Sequence, residues 1–310
     1  MIIQTSDYFQ HNNSTRLYYT LFRPESGNVK ASLLILHGMQ EHSGRYTAFA
    51  RYMAGQGIAV ITYDHLGHGK TAKSQKDLGF FQIAAPAQQV IHDAESIADY
   101  LEKLYPDVPH FILGHSMGSF IARCLLQQAG KRFNGAIIVG TGGKVMGAKI
   151  GKALSSFLNK IIPRYRSPFI NKFFNKGNNR RFRNEPDEKG TNWLSTDRDN
   201  RQAFLQDSLC GINFSINGFY TLLCVNVQAT ERHWAKSLPA DFPLLFISGT
   251  DDPIGNFGKG IMQTVSDLEH DEFKDITMKL YTGMRHEILN ETGKNAVYKD
   301  ITDWIEKHLP

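Results

Sequence analysis

Cysteine is scarce: Cys124, Cys210 and Cys224 are the only 3 in 310 residues. The number is odd, and the spacing is neither CxxC nor a cysteine–histidine zinc pattern, so a disulfide framework and a zinc module are both excluded. The thiols are expected to be buried and structural. No run approaches the roughly 18 apolar residues that a membrane-spanning helix needs. The opening residues, Met1 to Thr20, also lack a basic leader followed by an apolar segment. No secretory signal is therefore read, and a cytoplasmic protein is expected. Internal repeats and low-complexity tracts are missing. One absence is local: from Lys144 to Asn184 there are eleven lysines and arginines and no acidic residue, in a chain whose net charge is only +5. Without that stretch the chain holds 24 basic and 30 acidic residues, a net charge of −6.

The composition, 41% hydrophobic and 21% charged, is that of a globular protein with a substantial core. Apolar runs of strand length alternate with helical periodicity. Ser32–Gly38, Ile58–Asp64, Phe111–Leu113 and Ala136–Gly140 read as buried strands. Between them, Arg45–Gly57, the row Val90, Ala94, Ile97, Leu101 and Leu104, and Ile121–Gln128 read as helices. Two more units follow late: a strand over Pro243–Gly249 with a helix near Gly258–Leu268, and a strand over Ile276–Tyr281 with a helix near Ala296–His308. Ser6–Gln10 and Arg16–Phe22 are expected to pair as an antiparallel edge hairpin. This order predicts an α/β fold: a mostly parallel sheet with helices on both faces. The core is expected to comprise 1–142 and 241–310, with 143–240 as an inserted lid.

Gly114-His115-Ser116-Met117-Gly118 matches G-x-S-x-G between a strand and a helix, the context that exposes a serine hydroxyl on a sharp turn above a sheet. The flanking glycines relieve crowding, and the helix N-terminus offers N–H groups to a developing anion. Serine is a weak nucleophile until a base takes its proton, and imidazole is the fitting base. Of 12 histidines, His286 follows the last strand and completes the order Ser…Asp…His. His11, His92, His270 and His308 fall on surface-like segments and are expected to be solvated. The acid should follow the penultimate strand, where Asp251 and Asp252 compete. Asp252 is preferred because Pro253 stiffens its turn, leaving Asp251 as a solvated or turn-capping neighbour. The loop after the Ser32–Gly38 strand should give a second oxyanion donor, so the backbone N–H groups of Met39 and Met117 are the candidates.

Other polar clusters receive plainer readings. Glu41 and Arg45 are expected to pair and hold the oxyanion loop. His65 and His68 lie in a glycine-rich turn whose spacing does not set both imidazoles on one face, so backbone hydrogen bonds are expected there and no metal. No cofactor is expected. In the insertion, Ile150, Leu154, Phe157 and Ile161 share a helical face, with Lys149, Lys152 and Lys160 off that row, and Phe169, Ile170, Phe173 and Phe174 follow. This cationic amphipathic stretch suits a membrane surface or an acyl chain, or else it packs on the core. Nucleic acid is not expected, because no recognition motif accompanies the basic run.

Five segments together resemble the monoacylglycerol lipase and lysophospholipase group of α/β-hydrolases, related to the serine aminopeptidase type. They are HGMQEHSGRY at 37–46, DHLGHGKT at 64–71, GHSMG at 114–118, GTDDP at 249–253 and GMRHE at 283–287. The resemblance implies an eight-stranded core, a lid after the sixth strand and hydrolysis of single-acyl-chain lipid esters. It also supports Met39 and Met117 as oxyanion donors and Asp252 over Asp251. Thr71 departs from the serine common in the group, and Ser119 from its second glycine. The lid matches no family motif residue by residue, so acyl length and headgroup are assigned to no residue. A general carboxylesterase or thioesterase, a peptidase and a non-catalytic ligand-binding hydrolase fold are the alternatives.

Overall fold

A computed structural model of the chain describes residues 1–12, 15–145, 147–186 and 189–310, except the side chains of 11, 12 and 15. The expectation for His11 lies outside the described side chains. Eight strands form one sheet: β1 (Ile2–Asn12), β2 (Thr15–Pro24), β3 (Ala31–Leu36), β4 (Ile58–Tyr63), β5 (His110–His115), β6 (Gly135–Val139), β7 (Leu244–Gly249) and β8 (Ile276–Tyr281). Their spatial order is β1-β2-β4-β3-β5-β6-β7-β8. β1 and β2 form the antiparallel edge hairpin, β2 joins β4 antiparallel, and every pair from β4 to β8 is parallel.

Alternation along the strands divides the core in two. Leu34, Leu36, Ile61, Ile112, Ile138 and Phe246 point to one face, against α2 (Pro86–Leu104), α3 (Met117–Ala129), α7 (Ile216–Ala229) and α8 (Lys259–His270). Leu33, Ile35, Val60, Leu113, Val139 and Ile247 point to the other, against α1 (Thr47–Gly55) and α9 (Lys294–Lys307). Central strands buried on both faces must be apolar throughout, which is why they read as continuous runs. A 3-10 turn, Ser43–Tyr46, precedes α1, so the first expected helix starts with a tighter segment.

Between β6 and β7 lie α4 (Ala148–Ile161), α5 (Pro168–Asn178), α6 (Arg198–Gln206) and α7, with no strand among the described residues. α7 is part of the main core: Val225 and Ala229 are fully buried with residues of α2 and α3. α4 packs on α7 through small and polar residues. Ser155 and Asn159 are buried, Asn159 Oδ1 accepts from Asn217 Nδ2 at 3.0 Å, and Gly151 abuts Leu223. The apolar row therefore points outward: Ile150 is 76% exposed, Leu154 60%, Phe157 62% and Ile161 61%. Of the two placements open from sequence, packing on the core is excluded for this row. No helix among the described residues is long and apolar enough to cross a membrane.

Of the histidines expected to be solvated, His270 lies on an exposed surface and the His92 side chain is 48% exposed. His308 corrects the expectation. Its side chain is only 8% exposed, its Nε2 lies 3.1 Å from Asp275 Oδ2, and its ring packs 4.4 Å from that of Trp304. A histidine one turn after a tryptophan on a packed helix is drawn into that helix's seam.

Candidate active site

Ser116 sits between β5 and α3 with φ 53° and ψ −119°, a conformation costly for any residue with a side chain. Gly114 and Gly118 make this turn possible. A Cβ on Gly114 would lie 2.3 Å from the Gly118 carbonyl oxygen, and one on Gly118 would lie 2.1 Å from the Leu36 carbonyl oxygen. The turn is thus pressed directly against β3. Ser119 fills the position of the group's second glycine without strain, its Oγ lying 2.5 Å from Ser116 O and 2.8 Å from Thr141 Oγ1.

His286 Nδ1 faces both oxygens of Asp252 at 3.0 Å. A ring nitrogen facing a carboxylate carries the proton, so Nε2 bears the lone pair. Asp252 is fully buried, and it also accepts from Ser248 Oγ at 2.9 Å and the Ile254 N–H at 2.8 Å. Asp251 turns away towards Arg181, 3.6 Å distant. Ser116, His286, Met39 and Met117 line one cavity of about 510 Å³. Met117 opens α3, where a backbone N–H has no acceptor within the helix.

The elements that hold this arrangement were only partly legible. Glu41, 3% exposed, accepts from the Gly38 N–H at 2.6 Å and from Tyr46 Oη at 2.8 Å, and stands 3.2 Å from His115 Nδ1. Burial alone would raise its pKa, but the hydrogen bond and charge of His115, with Arg45, hold it well below the carboxylate range. Burial opposes a charge on His115; Glu41 outweighs it and raises that pKa. His115 Nε2 reaches the His286 carbonyl at 3.1 Å, so the residue before the serine links the oxyanion loop to the loop of His286. The expected Glu41–Arg45 pair is loose, at 3.9 Å. Arg45 instead makes a bidentate pair with Glu287, at 2.9 and 2.7 Å.

His37, His65 and His68 pack together, and burial lowers His65 and His68 to about 3, so both rings are neutral. As expected, their rings bond to backbone: His65 Nε2 meets the His37 carbonyl at 3.2 Å, and His68 Nδ1 meets the Leu66 carbonyl at 2.9 Å. Thr71, the other departure, accepts from the Tyr18 N–H and donates to the Asp64 carbonyl. His42, Asp207 and Cys210 place three potential metal ligands within 4.8 Å of one another. However, His42 Nε2 is engaged by Asp207 at 2.8 Å, its Nδ1 accepts from the Gly44 N–H at 3.2 Å, and burial pushes the Cys210 thiol far up. With both ring nitrogens used and the thiol protonated, this cluster is a clamp from the oxyanion loop to the insertion. The Gly211 N–H bond to the Gln40 carbonyl at 2.8 Å is a second clamp. Of the cavity walls from the insertion, Phe173 and Phe174 fall in the stretch that sequence assigned to a membrane surface or an acyl chain, whereas Trp193, Phe219 and Leu222 were not found. All three cysteines are buried, as expected.

A mostly parallel eight-stranded sheet with a strained serine at the β5–α3 turn, and a histidine held by a buried aspartate beside it, defines an α/β-hydrolase. Residues 27–293 match the family described as serine aminopeptidase, S33, and the chain belongs to that family. It is 26% identical over 304 residues to a human (Homo sapiens) monoglyceride lipase, covering 94% of this chain and 87% of that one. It is also 24% identical over 305 residues to a monoacylglycerol lipase of Mycolicibacterium smegmatis, covering 95% and 94%. Among solved structures, a thermostable carboxyl esterase from Bacillus coagulans superimposes with a TM-score of 0.88 at 25% identity, covering 99% of each chain.

Proposed function

We propose that the protein is a carboxylic ester hydrolase acting on lipids with a single acyl chain, through an acyl-enzyme on Ser116. The observation that carries this reading is the cavity of about 510 Å³ at Ser116, walled largely by aromatic and aliphatic side chains. An apolar space beside a nucleophile suits an acyl chain. The likeness to monoglyceride lipases supports the same substrate class.

In this mechanism Ser116 Oγ forms a bond to the ester carbonyl carbon while His286 Nε2 takes the hydroxyl proton. Asp252 holds the ring in that tautomer and stabilises the imidazolium. The carbonyl oxygen becomes an oxyanion, bound by the backbone N–H groups of Met39 and Met117. The intermediate collapses as His286 returns the proton to the leaving alcohol. Water, deprotonated by the same ring, then releases the fatty acid and restores Ser116. Within the insertion 143–240, α4 and α5 serve as the lid, while α7 belongs to the main core. Phe173 belongs to both regions, since it lines the cavity and is 70% exposed. The outward apolar row of α4 and its lysines support peripheral docking on an anionic membrane surface from the cytoplasm.

The test is hydrolysis of a short nitrophenyl ester and labelling by a fluorophosphonate probe. Ser116→Ala is expected to lose both; wild-type turnover in that variant would reject the assignment. A profile across monoacylglycerol, lysophospholipid and acetyl esters checks the substrate. Equal rates on all three would overturn the lipid reading and favour a general esterase.

A further inference from the structure

The segment 192–197 of the insertion is bonded directly to the loop that carries His286. The His286 N–H reaches the Trp193 carbonyl at 3.4 Å, and the Glu287 N–H donates to the Leu194 carbonyl at 2.8 Å. Arg285 Nη1 donates to the Asn192 carbonyl at 2.6 Å. Glu291, 1% exposed, accepts from the Arg285 N–H at 3.0 Å on one side, and from the Thr196 N–H and hydroxyl at 2.9 and 2.6 Å on the other. A buried carboxylate shared in this way fixes both sides of the contact. Trp193 and Leu194 also join Phe182, Phe204 and Cys210 in a separate apolar cluster, and Ile254, two residues past Asp252, packs against it. The segment is thus tied to both loops of the acid–base pair.

Trp193 is where this fastening reaches the chemistry. Its indole lies 5.1 Å from the His286 imidazole, centre to centre, with the planes 35° apart. His115 packs on the same imidazole at 4.7 Å and 43°, and a Cβ on Gly140 would lie 3.3 Å from His286 Cε1. Trp193 is itself held, since its N–H donates to Asn179 Oδ1 at 3.1 Å and the residue is 8% exposed. The bond to Asp252 fixes one edge of the imidazole and leaves it free to tilt about that edge. A flat ring packed against the imidazole stops the tilt. An aromatic ring within about 6 Å also attracts a cation, tryptophan most strongly. His286 gains its charge only as it takes the Ser116 proton, so this attraction acts in the transition state more than in the ground state.

We propose that Trp193 is a positioning residue for the reaction: packed on His286, it holds the imidazole towards Ser116 and stabilises the imidazolium that forms during proton transfer. The inference rests on His286 being the base. It gives the insertion a share in the chemical step, besides the walls of the acyl cavity. No bond forms to the indole, and the proton still passes from Ser116 to His286 Nε2 and on to the leaving alcohol.

The experiment is steady-state hydrolysis of nitrophenyl acetate by the full chain and by Trp193→Leu, Trp193→Phe and His286→Ala. An acetyl group is too short to depend on the cavity walls, so loss of wall and loss of positioning are read apart. Trp193→Leu is expected to lower kcat about tenfold with KM within about twofold, and Trp193→Phe, which keeps a flat aromatic face, to recover at least about threefold of that loss. The Cε1–H proton resonance of His286, identified by its loss in His286→Ala, is displaced by the indole ring current and should move in Trp193→Leu. Wild-type kcat in Trp193→Leu, an equal loss in Trp193→Phe, an effect confined to KM or an unmoved resonance would overturn the proposal. If Trp193→Leu does not fold, Trp193→Met decides by the same criteria. Wild-type turnover in His286→Ala would overturn the reading of His286 as the base, and the proposal with it; a silent His286→Ala beside a fully active Trp193→Leu overturns the proposal alone.

Discussion

The layer beneath Ser116 and the outer face of α4 spend polar and apolar groups in opposite ways. Under the nucleophile, Glu41, His115, Asp252 and His286 are at most 4% exposed and each has a polar partner. On α4 Gly151, Ser155 and Asn159 face the protein, and Ile150, Leu154, Phe157 and Ile161 face out, each at least 60% exposed. Folding stability explains the first arrangement, since buried polar groups must be paired. It does not explain the second, because an outward apolar row gains nothing in water. One region holds a geometry, and the other leaves its apolar side chains in solvent.

The sharpest break in that comparison is His286→Ala. It is expected to lower kcat on a soluble ester by about 10⁶-fold with the fold intact, measured by steady-state kinetics and circular dichroism. A loss below tenfold would remove His286 as the base.

Next comes Glu41→Gln, which leaves the shape but removes the charge opposite His115. A cost of about 2–4 kcal/mol is expected at pH 7, read by urea unfolding. The pH dependence fixes the cause. The pKa of Glu41 in the fold is depressed, so its contribution is fully present above the unfolded value of about 4.3. It is lost as pH falls through the folded pKa. The wild type should therefore lose stability below pH 4 more steeply than Glu41→Gln. Parallel curves would show that the charge does nothing.

The smallest effect belongs to the other region. Replacing Lys149, Lys152 and Lys160 by Gln should leave turnover of a soluble ester within twofold. Flotation with anionic vesicles should fall by on the order of tenfold, since each lysine near such a surface contributes up to about 1 kcal/mol. Unchanged flotation would reject an electrostatic role for these lysines.

Much of the fold and the motif positions was legible because both follow from local rules. A strand buried on two faces is an apolar run; the serine and the aspartate stand just past the end of such runs, and the histidine just past the partly exposed edge strand β8. What escaped depended on direction. The i,i+4 spacing of Glu41 and Arg45 suggested a pair, but the chain there is a loop ending in a 3-10 turn, so Arg45 aims at Glu287 instead. The periodicity of α4 gave a stripe without saying which side faced inward. Gly151, Ser155 and Asn159, small enough for close approach to α7, decide that. Arg123 carried a visible signal, a single cation within the apolar run Ile121–Leu126, yet its burial and its stacking on the Trp234 ring emerge only in three dimensions.

The bidentate bond between Arg45 and Glu287 joins positions 242 residues apart. A ribosome that has made the first 280 residues has already produced the strained serine and the oxyanion loop. It has produced neither His286 nor the glutamate that anchors Arg45. The growing polypeptide thus carries Ser116 without His286 from residue 116 to residue 285, and the two meet only once the β8–α9 loop has emerged. A stop codon between residues 116 and 286 leaves protein that retains Ser116 and lacks His286.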